Sequence, residues 1–180
     1  MTDLVDPQTR SRIMARIGQK DTAPKIAIRR ALHSRGFRYR LHVRGLRGRP
    51  DLVLPKYRAV VFVHGCFWHR HAGCRYATNP KTRAEFWEAK FAANVARDSD
   101  VRAALLEAGW RVATIWECAL RKPEQIAVTA DQLSTWLIFE TETLELGERE
   151  VSPSTGEGEK SARPDDWFRP AGYLVQPRRV

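Results

Sequence analysis

The segment HGCFWHRHAGC, from His64 to Cys74, concentrates imidazoles and thiols directly after a run of apolar residues. A structural zinc ion needs about four cysteine or histidine ligands in a tetrahedron, and a short loop can supply three of them. Cys66, His71 and Cys74 are the candidate ligands of this loop, and Cys118, beyond a predicted strand, is the candidate that closes the site. The alternative is that the cysteines are small buried hydrophobic residues, but their clustering with histidines favours a metal site.

A zinc site of this composition leaves His64 and His69 without a metal to bind. Asp51 begins a strand that is predicted to pair with the strand leading into His64, so the carboxylate and both imidazoles are expected at one end of the sheet. A carboxylate suits Mg²⁺, and an imidazole that titrates near neutrality suits activation of a water molecule. Together they indicate metal-assisted phosphodiester hydrolysis. Taken singly, Asp51 is more typical of a turn after Pro50, and each histidine is more typical of a surface or core position.

Phe67 and Trp68 lie between the candidate ligands, where apolar side chains have little core to enter. Such side chains can wedge between stacked bases, at a cost that is lowest where the bases are mismatched. Trp87, in the first turn of a predicted long helix, is a candidate to join them. The alternatives are that Phe67 and Trp68 pack over the zinc site and that Trp87 packs on the sheet.

The elements that must position these residues alternate between helical and extended patterns. The second extended run, AVVFV at 59–63, is apolar on both faces, as in a buried central strand. A capping box at Thr82–Glu85 is expected to open the long helix, with a break near 98–100. This order predicts an α/β fold with a mixed sheet covered by helices. The predicted elements are helices at 9–17, 22–36, 82–108 and 123–139 and strands at 49–54, 59–63 and 111–116.

Charge and composition divide the chain into two parts. The whole chain has 31 Lys and Arg against 21 Asp and Glu, a net charge of +10. Residues 1–140 hold 25 of these bases and 13 of these acids, a net +12, which favours a polyanionic partner, with nucleic acid first. Residues 141–180 are rich in Ser, Gly, Pro and Glu, so we predict a domain at 1–140 and a largely flexible appendage at 141–180.

The same composition bears on the location of the protein. The sequence contains no run of about 18 apolar residues, which argues against a membrane span, and its first residues lack the apolar stretch of a secretory signal. Three cysteines, an odd number, argue against a disulfide framework. We therefore expect a cytoplasmic protein with no membrane partner.

Several motifs resemble one family closely. The segments GRPD at 48–51, HGCFWH at 64–69 and WECAL at 116–120, in this order and spacing, are similar to the very short patch repair (Vsr) DNA mismatch endonucleases, over roughly residues 8–138. The resemblance implies a restriction-endonuclease-like fold, a mixed central sheet flanked by helices, with a structural zinc. It also implies Mg²⁺-dependent nicking of double-stranded DNA 5′ to the T of a T·G mismatch, which arises when 5-methylcytosine deaminates.

The resemblance further implies roles for individual residues. His69 would be the general base, His64 would contact the scissile phosphate, and Asp98 would support both histidines. Mg²⁺ would bind Asp51 and the backbone oxygen of Val63. Zinc would bind Cys66, His71, Cys74 and Cys118, and the residues that intercalate beside the mismatch would be Phe67, Trp68 and Trp87. Other mismatch-repair proteins are expected partners, and a monomer suffices because a nick needs one active site.

Lys25 departs from the family pattern, which has Glu three residues after Thr22. A lysine here puts a cation in the first turn of a helix, where the helix dipole disfavours it. It either weakens Mg²⁺ binding and slows catalysis or contacts a phosphate. Two alternatives to the mismatch endonuclease therefore stay open. One is a restriction-type endonuclease that cuts matched duplex, and the other is a zinc-stabilised DNA-binding module without catalysis.

Overall fold

The computed structural model describes residues 21–139 and 141–148, together with Asp6 and Thr9. The predicted basic helix over 9–17 lies outside the described residues except for Thr9. The predicted flexible appendage lies outside them from residue 149 onward. Among the described residues, no helix combines the length and the apolar character needed to cross a membrane.

The described residues form one four-stranded mixed sheet. Its strands are β1 (Leu52–Leu54), β2 (Ala59–His64), β3 (Arg111–Trp116) and β4 (Thr143–Leu146), and this is also their order in the sheet. β1 and β2 are antiparallel, whereas β2 and β3, and β3 and β4, are parallel. Strand β2 is central and is buried on both faces, as its apolar sequence predicted. The α/β class with a mixed sheet is confirmed.

Helices cover both faces of this sheet. The α-helices of the described ranges 21–139 and 141–148 are α1 (Ala23–Ser34), α2 (Ala84–Glu107) and α3 (Pro123–Ile138). One core joins α1 and α3 to one face through buried residues such as Ile28, Leu32 and Leu133. The other joins α2 to the opposite face through Val101 and Leu105. A short 3-10 helix, Pro55–Tyr57, connects β1 to β2, and another, Glu117–Leu120, leads from β3 towards α3.

The start of α2 differs from its prediction. Helix α2 begins at Ala84 after Arg83, which has a left-handed φ of 56°, and no side chain caps its first turn. The predicted capping box at Thr82–Glu85 is therefore wrong, because the left-handed residue changes the direction of the chain between the two side chains. The predicted break near 98–100 is also absent from this helix, which runs unbroken to Glu107.

The sheet extends beyond the predicted domain boundary at residue 140. Strand β4 lies within the segment assigned to the appendage and pairs with β3, with Leu144 opposite Ala113 and Leu146 opposite Ile115. Both leucines pack against the core that α1 and α3 cover. Residues 141–148 are therefore part of the sheet and its core. The backbone of β4 pairs with the edge of β3, and its alternating leucines pack on one face of the sheet.

Candidate active site and metal centre

The loop that follows β2 begins at the same end of the sheet as the segment that follows β3. His64, the last residue of β2, is directly opposite Trp116, the last residue of β3. Backbone hydrogen bonds fold the loop back on itself: the His69 amide donates to Gly65 oxygen at 3.1 Å and the His71 amide donates to Cys66 oxygen at 3.1 Å. This fold brings histidine and cysteine side chains into two separate groups.

The first group consists of the four residues predicted to bind zinc. Their potential ligand atoms all lie within 4.8 Å of one another. His71 Nδ1 is 3.6 Å from Cys66 Sγ and 3.4 Å from Cys118 Sγ. Two ligands at ordinary zinc distances in a tetrahedron are about 3.6 Å apart, so the spacing fits a tetrahedral metal centre. The group comprises Cys66, His71, Cys74 and Cys118, and we refer to it as the thiol centre.

Burial affects the ionisation of the thiol centre. It raises the pKa of the Cys66 thiol and of the Cys118 thiol. Burial also lowers the pKa of His71, so its imidazole is neutral near pH 7, the form that ligates metals. A bound cation would have to offset the cost of holding thiolates in this buried position, which makes proton release part of metal binding.

Residues beyond the predicted domain boundary complete the thiol centre. The Glu148 amide donates a hydrogen bond to Cys118 Sγ at 3.2 Å. The Trp116 ring stacks on His71 at 4.3 Å between centroids, with 9° between the ring planes, and its indole donates to Glu145 at 2.8 Å. Such contacts orient metal ligands. The segment after β4 therefore belongs to this centre.

Gly147 lies directly against the His71 ring. A Cβ atom at this position would be 2.6 Å from His71 Cε1, closer than packing permits. We expect Gly147→Ala to displace His71, to lower the free energy of unfolding by about 1 to 3 kcal/mol and to speed the release of a metal ion loaded into the thiol centre, zinc in this test, to a chromogenic chelator. Gly65→Ala is the matched control, since its Cβ would meet no atom closer than 3.4 Å. Equal zinc release by the two variants would contradict this account.

The second group contains both remaining histidines of the loop. Potential ligand atoms of His64, His69 and Asp98 lie within 4.8 Å of one another. The two imidazoles stack at 3.9 Å between centroids with 9° between their planes. His69 Nδ1 bonds to Asp98 Oδ2. Because an ionised carboxylate only accepts, Nδ1 carries the proton and Nε2 is the nitrogen that can accept one.

The pKa values of His64 and Asp98 are both lowered, which keeps the imidazole neutral and the carboxylate ionised near pH 7. Burial, followed by the neighbouring charge of His69, lowers the pKa of His64 to about 3, so this imidazole is neutral near pH 7. Burial alone would raise the pKa of Asp98, but the hydrogen bond and charge of His69 outweigh it and lower that pKa. The aspartate therefore stays ionised and keeps the tautomer of His69.

Asp51 lies immediately before β1, beside the backbone that leads into His64. Its Oδ2 accepts a hydrogen bond from the Val63 amide at 2.8 Å. Its Oδ1 is 2.8 Å from Lys25 Nζ, and both side chains are largely buried, 17% and 16% exposed. The ammonium shows that this oxygen accepts a cation in the folded protein. Lys25 lies in a helix and Asp51 follows a long loop later in the chain, so the sequence did not indicate this direct contact, which the structure shows.

The aromatic residues predicted to enter DNA lie together in one cluster. Phe67 is 5.1 Å from Trp68 and 5.6 Å from Trp87, measured between ring centroids. Phe67 is also 5.1 Å from the buried ring of Phe91. Phe67, Trp68 and Trp87 are half-buried. Phe91 therefore supports rings that keep part of their surface exposed.

Sequence reasoning missed several residues around these groups. Phe91 was predicted only as part of a helix, and Arg70 lies over its ring at 4.5 Å from the centroid. Asn94 donates to the backbone oxygen of Trp68 at 3.0 Å, which holds the aromatic cluster against α2. The alternating Leu144 and Leu146 were the signal from which β4, and with it the closing segment of the thiol centre, was predictable.

Comparisons with known proteins decide the family. Residues 2–75 match the family model described as DNA mismatch endonuclease Vsr. The chain is 50% identical over 120 residues to the type II nicking enzyme V.XorIIP of Xanthomonas oryzae pv. oryzae, covering 67% of this chain and 88% of the relative. It is also 42% identical over 142 residues to the DNA mismatch endonuclease Vsr of Escherichia coli, covering 78% of this chain and 90% of that protein. The chain belongs to the Vsr family.

Another relative of this Vsr-family chain is a second nicking enzyme. The type II nicking enzyme V.NmeAIP of Neisseria meningitidis is 40% identical over 121 residues, which cover 67% of this chain and 86% of the relative. The family-model match ends at residue 75, within the loop between β2 and α2. It thus includes Asp51, His64 and His69, whereas Asp98 and Cys118 come later in the chain. The resemblance read from the motifs is confirmed at the level of the family.

Proposed function

We propose that this Vsr-family protein is a DNA mismatch endonuclease that nicks one strand of duplex DNA 5′ to the T of a T·G mismatch. The observation that carries the proposal is the stacked pair of His64 and His69, held by Asp98, with Asp51 bonded to the amide of Val63, the residue before His64. This arrangement offers a base, a neutral hydrogen-bond donor and a carboxylate at one end of the sheet, as phosphodiester hydrolysis requires. We propose a restriction-endonuclease-like fold and a monomer that acts in the cytoplasm.

His69 is the general base in this proposal. Its Nε2 accepts a proton from the attacking water, and Asp98 stabilises the imidazolium that results. His64, neutral near pH 7, donates a hydrogen bond to the scissile phosphate. Asp51 and the backbone oxygen of Val63 would hold Mg²⁺, and the ion would share Asp51 with the Lys25 ammonium or displace it. When bound, Mg²⁺ would neutralise charge that develops on the phosphate.

The thiol centre is proposed to bind structural zinc. Three sulfur ligands and one nitrogen ligand with tetrahedral spacing are typical of such sites. The centre ties together the loop after β2, the 3-10 helix after β3 and the segment after β4. Bound zinc would therefore fix the position of the loop after β2, which carries His69, relative to the sheet.

The cluster of Phe67, Trp68 and Trp87 is proposed to enter the DNA beside the mismatch. Side chains that separate stacked bases must keep their positions while they do so. Phe91 and Asn94 of α2 hold this aromatic cluster in place. A T·G pair is easier to unstack than a matched pair, which would make the cluster selective for mismatched DNA. The net charge of +12 on residues 1–140 supplies the attraction to the phosphate backbone.

Asp98→Asn tests the role of the aspartate. Asparagine keeps the size of the side chain but loses the charge that stabilises protonated His69, so we expect nicking to fall about a hundredfold. The single-turnover rate on a T·G duplex is the measurement. Asp100→Asn, at an exposed position of the same helix, is the matched control and should retain full activity. Equal rates for the two variants would remove Asp98 from the mechanism.

The whole proposal is tested with end-labelled duplexes that differ in one base pair. The zinc-loaded full chain should nick a T·G duplex, in the context of a methylated recognition sequence, only when Mg²⁺ is added. Comparable cleavage of the matched duplex would favour a restriction-type endonuclease instead. Binding without cleavage, across a panel of sequence contexts, would favour a non-catalytic DNA-binding module.

A further inference from the structure

We refer to Asp51, His64, His69 and Asp98 as the reactive group. The ion pair between Lys25 and Asp51 links this group to the first turn of α1. Lys25 lies in the first turn of α1, where the helix dipole disfavours a cation, and Asp51 compensates for that charge at 2.8 Å. Both side chains are more than four-fifths buried, so solvent screens their attraction less than it would at the surface. A divalent ion that binds Asp51 must therefore share this carboxylate with the ammonium or displace it.

We propose that Lys25 is a positioning residue that couples divalent-metal binding at Asp51 to the binding of DNA. The proposal rests on the proposed function, because it takes Asp51 as the metal ligand. Without DNA, the ammonium holds Asp51 and repels a divalent ion. A DNA phosphate that enters the site offers the ammonium a second anionic partner, and Asp51 then becomes available to the metal. Metal and DNA should therefore each raise the affinity of the other.

This coupling has a physical advantage for a nuclease. Asp51, which pairs with Lys25, also accepts a hydrogen bond from the amide of Val63, the residue before His64. The lowered pKa of His64 is due first to burial and to a smaller extent to the charge of Lys25, so the ammonium lies near this imidazole. A phosphate contacted by His64 would thus lie within reach of the lysine. The reactive group would gain its metal mainly when the substrate is present.

Binding of Mn²⁺ to the zinc-loaded full chain tests the proposal by electron paramagnetic resonance. Lys25→Gln should bind Mn²⁺ about tenfold more tightly than the unchanged protein in the absence of DNA, because a positive charge next to the ion is removed. Lys25→Arg keeps the charge and should keep the weak binding. Lys56→Gln, at an exposed position near the other end of β2, is the matched control and should leave the affinity unchanged.

The second part of the experiment adds DNA. A T·G duplex already nicked 5′ to the T cannot be cut there again and still provides phosphates. It should tighten Mn²⁺ binding by the unchanged protein by a factor at least about five times larger than it does for Lys25→Gln. Equal tightening, or unchanged DNA-free affinity in Lys25→Gln, would overturn the coupling.

Two further measurements keep this inference separate from the proposed function. Asp51→Asn in the Lys25→Gln background should abolish the tight Mn²⁺ site, and if that site survives, Asp51 is not the ligand and the coupling fails. Nicking of the T·G duplex is measured on the unchanged protein. If the Lys25 substitution changes Mn²⁺ affinity as expected but the unchanged protein does not nick, the proposed function is wrong. The competition between the Lys25 ammonium and the metal ion for Asp51 would still be supported.

Discussion

Asp51→Asn should reduce the rate of T·G nicking by about a thousandfold or more, because a metal ion that neutralises phosphate charge contributes several kcal/mol to the transition state. Asparagine preserves the size of the side chain and loses the charge that attracts a divalent ion. The rate is measured in single turnover at saturating Mg²⁺. Affinity for the same duplex, measured by fluorescence anisotropy, should change little, since the large positive net charge of residues 1–140 and the aromatic cluster remain.

The control for this variant removes an aspartate of another ion pair. Asp131 lies on α3 and pairs with Arg35 at 2.8 Å, on an exposed surface. Asp131→Asn should nick at the unchanged rate. Thermal unfolding of both variants shows whether the fold is intact. An Asp51→Asn protein that is folded and still nicks at an undiminished rate would refute the assignment of Mg²⁺ to this residue.

Cys118→Ala should release the zinc ion and lower the melting temperature by roughly 10 °C or more. Structural zinc contributes on the order of 10 kcal/mol of binding free energy in small zinc proteins, and the loss of one of four ligands forfeits part of it. For a chain of this size, a loss of several kcal/mol corresponds to about that shift. Zinc content is measured by atomic emission and melting by circular dichroism.

Two controls separate metal loss from an ordinary core defect. Val112→Ala truncates a buried side chain of β3 that is 2% exposed, and it should lower stability while the zinc content stays at one ion per chain. A chelator should destabilise the unchanged protein and leave Cys118→Ala almost unaffected. If Cys118→Ala keeps a full complement of zinc, Cys118 is a buried residue and not a ligand.

Regular elements with strong local patterns were predictable from the sequence. The apolar run 59–63 became β2 (Ala59–His64), and the helix expected from Pro123 ends at Ile138. Both patterns are local, because burial of a central strand or of one helix face imposes its own period on the chain. The predicted capping box was wrong because a motif of four residues carries no information about the left-handed backbone at Arg83.

The sequence analysis did not predict β4, because it assigned residues 141–180 by their overall composition and not by local pattern. The acidic and Ser-rich character of 141–180 concealed the short alternating pattern of β4, which gains its stability from the edge of β3. A four-residue strand is not stable alone, so its existence depends on a partner that lies about 30 residues earlier.

The sequence by itself determined the chemical inventory of this protein and its family. Histidines and cysteines at close spacing in one loop restrict the available chemistry, and the motifs around them are specific to the Vsr family. These conclusions depend on residue types and on local spacing, which the order of the chain records directly.

Only the tertiary structure decided which of these groups meet. It placed Cys66, His71 and Cys74 in the thiol centre and His64 and His69 beside Asp98, although these cysteines and histidines come from the same short segment. It brought Lys25 onto Asp51 and Glu148 onto Cys118. Contacts between residues far apart in the chain depend on how the helices and strands pack, because burial of the apolar core selects one arrangement and the polar side chains follow it.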